Sequence, residues 1–173
     1  MLSTQHGMTP ANGSADACVL VGMSIRIAPL PQPFLDKVRH EGIDDLGQPV
    51  KRVIAAGGEP CRDALRRAVA GEELILASFT PFTQTGPYKE FGPVFVLAKD
   101  GDAASADALP TDGYLRDRFV IRAYSAAEEI LDAEMVTPDD AGATVERLLG
   151  RTDTAFLHVR FPTYGCFALR VDR

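Results

Sequence analysis

The feature that most constrains this chain is a train of short apolar runs, each closed by glycine or proline. Residues 74–79 read as a strand, and 94–98 is a continuous apolar run of strand length. In 119–123, Phe119, Ile121 and Ala123 alternate with Arg118, Val120 and Arg122. Residues 130–136 fit helix or strand, and the alternation of Leu131, Ala133 and Met135 with Asp132 and Glu134 favours strand. Side chains on a strand point to opposite faces in turn, so these runs predict half-buried or central strands. Residues 155–161 and 166–171 complete the series, and Pro162-Thr163-Tyr164-Gly165 joins them as a hairpin. Weaker strands are expected at 23–28 and 50–55, and an exposed connection at 99–115.

Helices are few. Thr137-Pro138-Asp139-Asp140 combines a hydroxyl cap, a proline in the first turn and acids at the positive dipole end. Val145, Leu148 and Leu149 give that helix its apolar face, and Gly150 ends it. Phe34, Leu35 and Val38 predict a short first helix stopped by Gly42. Gly57-Gly58-Glu59-Pro60 is a turn, and Pro60 suits a helix start. Cys61, Ala64, Leu65 and Ala68 then share one helical face, with Arg62, Asp63, Arg66 and Arg67 on the other. The expected class is α+β: a mixed or mostly antiparallel sheet of about seven strands, curled in one version, with two or three short helices on one face. Residues 1–20, rich in Ser, Thr, Asn, Gly and Pro, are expected to be a flexible tail. Residues 21–173 are expected to form a single domain, in keeping with 173 residues and one core.

Charge narrows the function classes. The formal net charge of −6 opposes phosphate-backbone and anionic-membrane binding, so neither nucleic acid nor a membrane is an expected partner. No run reaches the roughly 20 apolar residues that span a bilayer. Three cysteines, Cys18, Cys61 and Cys166, do not make a disulfide scaffold. No secretory signal is read, so the cytoplasm is the expected location. Phosphate-loop, dinucleotide, zinc-protease and nucleophile-elbow signatures are absent.

Chemistry therefore rests on isolated residues. On a helix N-terminus beside Arg62 and Arg66, Cys61 would be an activated thiolate; buried with Ala64 and Leu65 it would be a small hydrophobe. Cys166, beside Gly165 at a strand start, faces a cleft or the core. His158 shares a strand face with Phe156 and Arg160, on the solvent side or in a pocket. Zinc requires Cys61, His158 and Cys166 to converge without any close CxxC pair. Tyr88 and Glu90 stand in the turn-rich loop 80–93, which either binds a ligand or stiffens a connection. Arg116, Arg118 and Arg122 form a solvated strand edge or an anion patch. Gly57-Gly58 offers amides to an anion or is an ordinary turn.

An ordered set of segments resembles a known family: Glu59-Pro60-Cys61-Arg62, Gly71-Glu72-Glu73-Leu74, the stretch from Gly86-Pro87-Tyr88-Lys89-Glu90 to Val94-Phe95, Arg122-Ala123-Tyr124, His158-Val159-Arg160 and Gly165-Cys166-Phe167. Together they resemble the bacterial domain-of-unknown-function family 1203, from about Met23 to Arg173. The resemblance implies a bacterial protein of this size with no established activity and no assigned cofactor. Many members carry a second Cys three positions after the one matching Cys61. Here that residue is Ala64, which argues against a zinc or dithiol role for this segment.

The reading is a small-molecule or partner-binding domain, with Arg62, Tyr88, Glu90 and Arg160 as ligand contacts. Two alternatives stand beside it. One is a thiol-dependent enzyme using Cys61 with His158, or Cys166; the other is a metal-binding protein.

Overall fold

The computed structural model describes residues 24–173, so Cys18, His6 and the expected tail lie outside the described residues. The elements run β1 (Arg26–Ala28), α1 (Gln32–Asp36, continued by a π-turn over Lys37–Glu41), β2 (Lys51–Ile54), β3 (Pro60–Cys61), β4 (Arg66–Arg67), β5 (Glu73–Phe79), β6 (Gly92–Leu97), β7 (Phe119–Tyr124), β8 (Ile130–Val136), α2 (Pro138–Leu149), β9 (Phe156–Arg160) and β10 (Phe167–Asp172). The class is α+β and mainly antiparallel. The expected strand count and curl are corrected: ten strands form two open five-stranded sheets, ordered β1-β10-β9-β7-β8 and β2-β5-β6-β3-β4. The pairing of β3 with β6 is parallel; the others are antiparallel.

The first sheet follows from its alternation. Ile121, Ala123, Leu157, Val159, Leu169 and Val171 are buried on one face against Val145, Leu148 and Leu149 of α2. In α2, Pro138 occupies the first turn, and the Thr137 hydroxyl donates to the Asp140 carboxylate at 2.7 Å instead of accepting from a first-turn amide. A Cβ at Gly150 would stand 2.9 Å from the Glu146 carbonyl, so the helix closes at glycine for lack of space. A second core joins the two sheets: Phe34, Leu35 and Val38 of the first helix pack with Ile75, Phe79, Val94 and Val96, and with Phe167 of β10.

The helix expected from Pro60 is replaced by the β3–β4 hairpin. The charges on its supposed solvent face are anchors. Arg62 donates to the Phe167 carbonyl at 3.0 Å and the Pro60 carbonyl at 2.6 Å. Asp63 accepts from the Leu97 amide and pairs with buried Arg39 at 2.7 Å. Leu65 adopts left-handed φ 48°, which no helix accommodates. The connection over 99–115 is also less exposed than expected, because Tyr114 and Leu115 are buried and the Tyr114 hydroxyl donates to the Ala168 carbonyl.

Candidate functional site

The hairpin that joins β9 to β10 builds one wall of a cleft. The Phe161 amide donates to the Cys166 carbonyl and the Gly165 amide to the Phe161 carbonyl, closing the turn, and Gly165 takes φ 69°, the left-handed form that favours glycine. The other walls are the 57–60 turn, Arg67 and the segment 116–118. The open cleft has a volume of about 740 Å³, with Tyr164 on its rim at 86% exposed. That volume lies in the range of metabolite sites. A smaller depression of about 380 Å³ shares Arg67 and Arg116.

Arg67 defines the cleft's chemistry. Its Nε and Nη2 donate to the Tyr114 carbonyl at 3.1 and 2.9 Å, and Nη1 donates to the Gly58 carbonyl at 3.0 Å. The guanidinium lies 4.8 Å from the Phe161 ring centroid. These acceptors are neutral, so the positive charge stays uncompensated while the side chain is held rigid. Burial, and then the charge of Arg116, push its pKa below the usual arginine value. Arg116 and Arg118 stand exposed on the same cleft. Three guanidiniums thus meet two lining carboxylates, Glu59 and Asp117, in a chain of net charge −6. Glu59 is occupied, because its carboxylate accepts the Ala56 and Gly57 amides. Those bonds, together with Gly58 N–H to the Ala68 carbonyl, also use the turn's amides, so the Gly57-Gly58 turn supplies no free anion cradle.

The structure separates the residues singled out from sequence. Cys61 is fully buried in a small core with Ala55, Ala68, Leu74 and Leu97. Losing the helix removes the cause of an activated thiolate, and burial, with help from Asp63, pushes the Cys61 thiol up to about 11. Cys166 is half-buried on the cleft wall. Arg62 is 4% exposed behind that wall, 5.2 Å from the Phe161 ring. Burial lowers its pKa, and it braces the two sheets rather than facing the cleft.

His158 lies elsewhere, on the sheet face opposite α2. It is 0% exposed and ringed by Phe82, Tyr124, Phe156 and Phe167, with centroids 4.7–5.2 Å away. Neither ring nitrogen has a hydrogen-bond partner. Burial, and then the charges of Arg160, Arg170 and Arg122, hold it well below its ordinary pKa, so it is neutral. Arg160, 3% exposed, donates to the Gly165 carbonyl at 2.9 Å and pairs with Glu90. Tyr88 is exposed on the same loop as Glu90. Among the described residues no three His, Cys, Asp or Glu side chains converge to hold a metal ion, and no helix is long and apolar enough to cross a membrane.

The sequence singles out Cys166, and it leaves Arg116, Arg118 and Arg122 as a solvated strand edge or an anion patch; of these four, Cys166, Arg116 and Arg118 line the cleft. Sequence reasoning missed Arg67, Tyr114 and Phe161, because a helix at 60–70 turns Arg67 outward and an exposed 99–115 hides Tyr114. A two-residue strand leaves no periodic signal that would have exposed the error.

The profile of a family described as "Protein of unknown function (DUF1203)" matches residues 58–173, well over half of the chain. The chain belongs to this family, and the matched residues include every cleft residue but Gly57 and both cysteines of the described residues. No curated protein and no solved structure matches it.

Proposed function

We propose that this protein is a binding domain for a small organic anion, taken up in the cleft between the 57–60 turn, segment 116–118 and the β9–β10 hairpin. The observation that carries the reading is Arg67, immobilised by two backbone carbonyls and the Phe161 ring with no carboxylate to neutralise it. A fixed positive charge flanked by two exposed guanidiniums suits a carboxylate or phosphate, because the planar forks of Arg116 and Arg118 match either group. The cleft has the volume for a metabolite rather than a lone ion.

Titration calorimetry with citrate and with inorganic phosphate tests it. Saturable binding is expected in the wild type, weakened about tenfold in Arg118→Gln and in Arg116→Gln. Equal affinity in the wild type and both variants would contradict the assignment.

A second reading has one observation in its favour: Cys166 lines the same cleft. A thiol next to a bound anion suits thiol-dependent chemistry, with Cys166 rather than Cys61 as the nucleophile. His158 would not be its base, because the hairpin cleft and the aromatic cluster around His158 are different parts of the fold.

A further inference from the structure

His158 poses a separate question. Two buried nitrogens without partners are an expense that a structural residue need not carry, since an apolar side chain would fill the same space. In register, His158 lies directly between Arg122 of β7 and Arg170 of β10. Paired residues of neighbouring strands project to the same face, so the three form one row. Arg160 stands two residues along on that face, and its Nε is also buried without an acceptor.

What covers this face is not a strand. Residues 80–91 cross it as an irregular segment. Phe82 packs against His158, and the segment is tied down at two points. At one, the Glu128 carboxylate accepts from the Thr83 and Gln84 amides and from the Thr83 hydroxyl, at 2.8–3.1 Å. At the other, Glu90 sits on Arg160. Between the two ties residues 84–88 are exposed.

We propose that residues 80–91 are a strap over a second ligand site, whose floor is the Arg122–His158–Arg170 row with Arg160, and that this site takes a small carboxylate where the Glu90 carboxylate now rests. The neutral imidazole supplies its one N–H donor to the ligand carboxylate, which only accepts. Arg160 supplies the charge. Glu90 is a tethered competitor: while it occupies Arg160 the site is closed, and a free carboxylate enters only as the strap lifts.

The experiment is nuclear magnetic resonance of the ¹⁵N-labelled histidine ring, with the His158 signal assigned by its loss in His158→Gln. The probes are sodium acetate and sodium succinate, at ionic strength held constant with sodium chloride. Glu90→Gln keeps the strap's length and removes the competing charge. A saturable His158 shift about tenfold tighter in Glu90→Gln than in the wild type is expected. Adding Arg122→Gln should weaken it, and Arg118→Gln in the first cleft should leave it unchanged. Failure of the cleft assignment would therefore not touch this result. No saturable shift in Glu90→Gln up to about 100 mM, equal affinity in both proteins, or the same shift with sodium chloride alone would overturn the proposal.

Discussion

The hairpin cleft and the His158 face treat buried polarity in opposite ways. Arg62 and Arg67, behind and within the cleft, spend their N–H groups on backbone carbonyls and rest on the Phe161 ring. The wall is finished, and what remains outside is charge. At the His158 face the reverse holds: the aromatic shell is complete, but the imidazole inside it has no partner. The cleft is open with satisfied walls; the other face is closed with an unsatisfied centre. Open satisfied sites can be filled as they stand, whereas a closed unsatisfied one implies a second arrangement.

That contrast can be broken in several places. The largest effect is expected at Arg62. Arg62→Met strips the Pro60 and Phe167 carbonyls of a buried charged donor and should cost about 3 kcal/mol of stability in urea unfolding. A loss below about 1 kcal/mol would mean that the brace between the sheets is weak. At His158 the sign reverses. His158→Leu removes two orphaned nitrogens and should stabilise the protein by about 1 kcal/mol at pH 7.5, where a purely structural histidine would lose stability on replacement.

The same residue gives a pH signature. Its folded pKa lies well below the ordinary 6.5, so the unfolded chain binds the proton first. Stability is then held above pH 6.5 and lost as pH falls below it, by at most about 1.4 kcal/mol per pH unit. Arg160, Arg170 and Arg122 deepen the shift. Glu128 is held below its ordinary range, since the Thr83 and Gln84 hydrogen bonds outweigh its burial, so its contribution is lost only at lower pH, below 4.5. Urea midpoints between pH 7.5 and 5 should fall in the wild type and stay flatter in His158→Leu. Parallel slopes would show that His158 is not the group responsible.

The smallest effect concerns the thiols. Cys61 should resist iodoacetamide in the folded protein, being fully buried with its thiol near 11. Mass-spectrometric site assignment checks this, and rapid labelling of Cys61 in folded protein would mean the β3–β4 hairpin opens.

The strands were legible where both faces carried a clear pattern. β5 to β10 and α2 lie within a residue or two of the runs that predict them. The segment 60–67 was not, because long-range anchors imitate an amphipathic helix: Arg62 and Asp63 look solvent-facing until Phe167, Leu97 and Arg39 arrive from distant parts of the chain. The outer strands β3 and β4 of the second sheet were unread for the same reason, being two residues each. For the site, residue identity pointed to His158, Cys166 and Arg160 one by one. Their separation onto two regions is a property of topology: one strand, β9, carries His158 on the aromatic face and ends at the hairpin that walls the cleft.

The central claim is that the cleft holds a small anion, and Cys166 on its wall reports occupancy. The direct measurement is the rate of Cys166 alkylation by uncharged iodoacetamide, with and without citrate at constant ionic strength. The account predicts saturable protection in the wild type that needs about tenfold more citrate in Arg118→Gln. An alkylation rate indifferent to citrate, or protection at the same citrate concentration in both proteins, would contradict it.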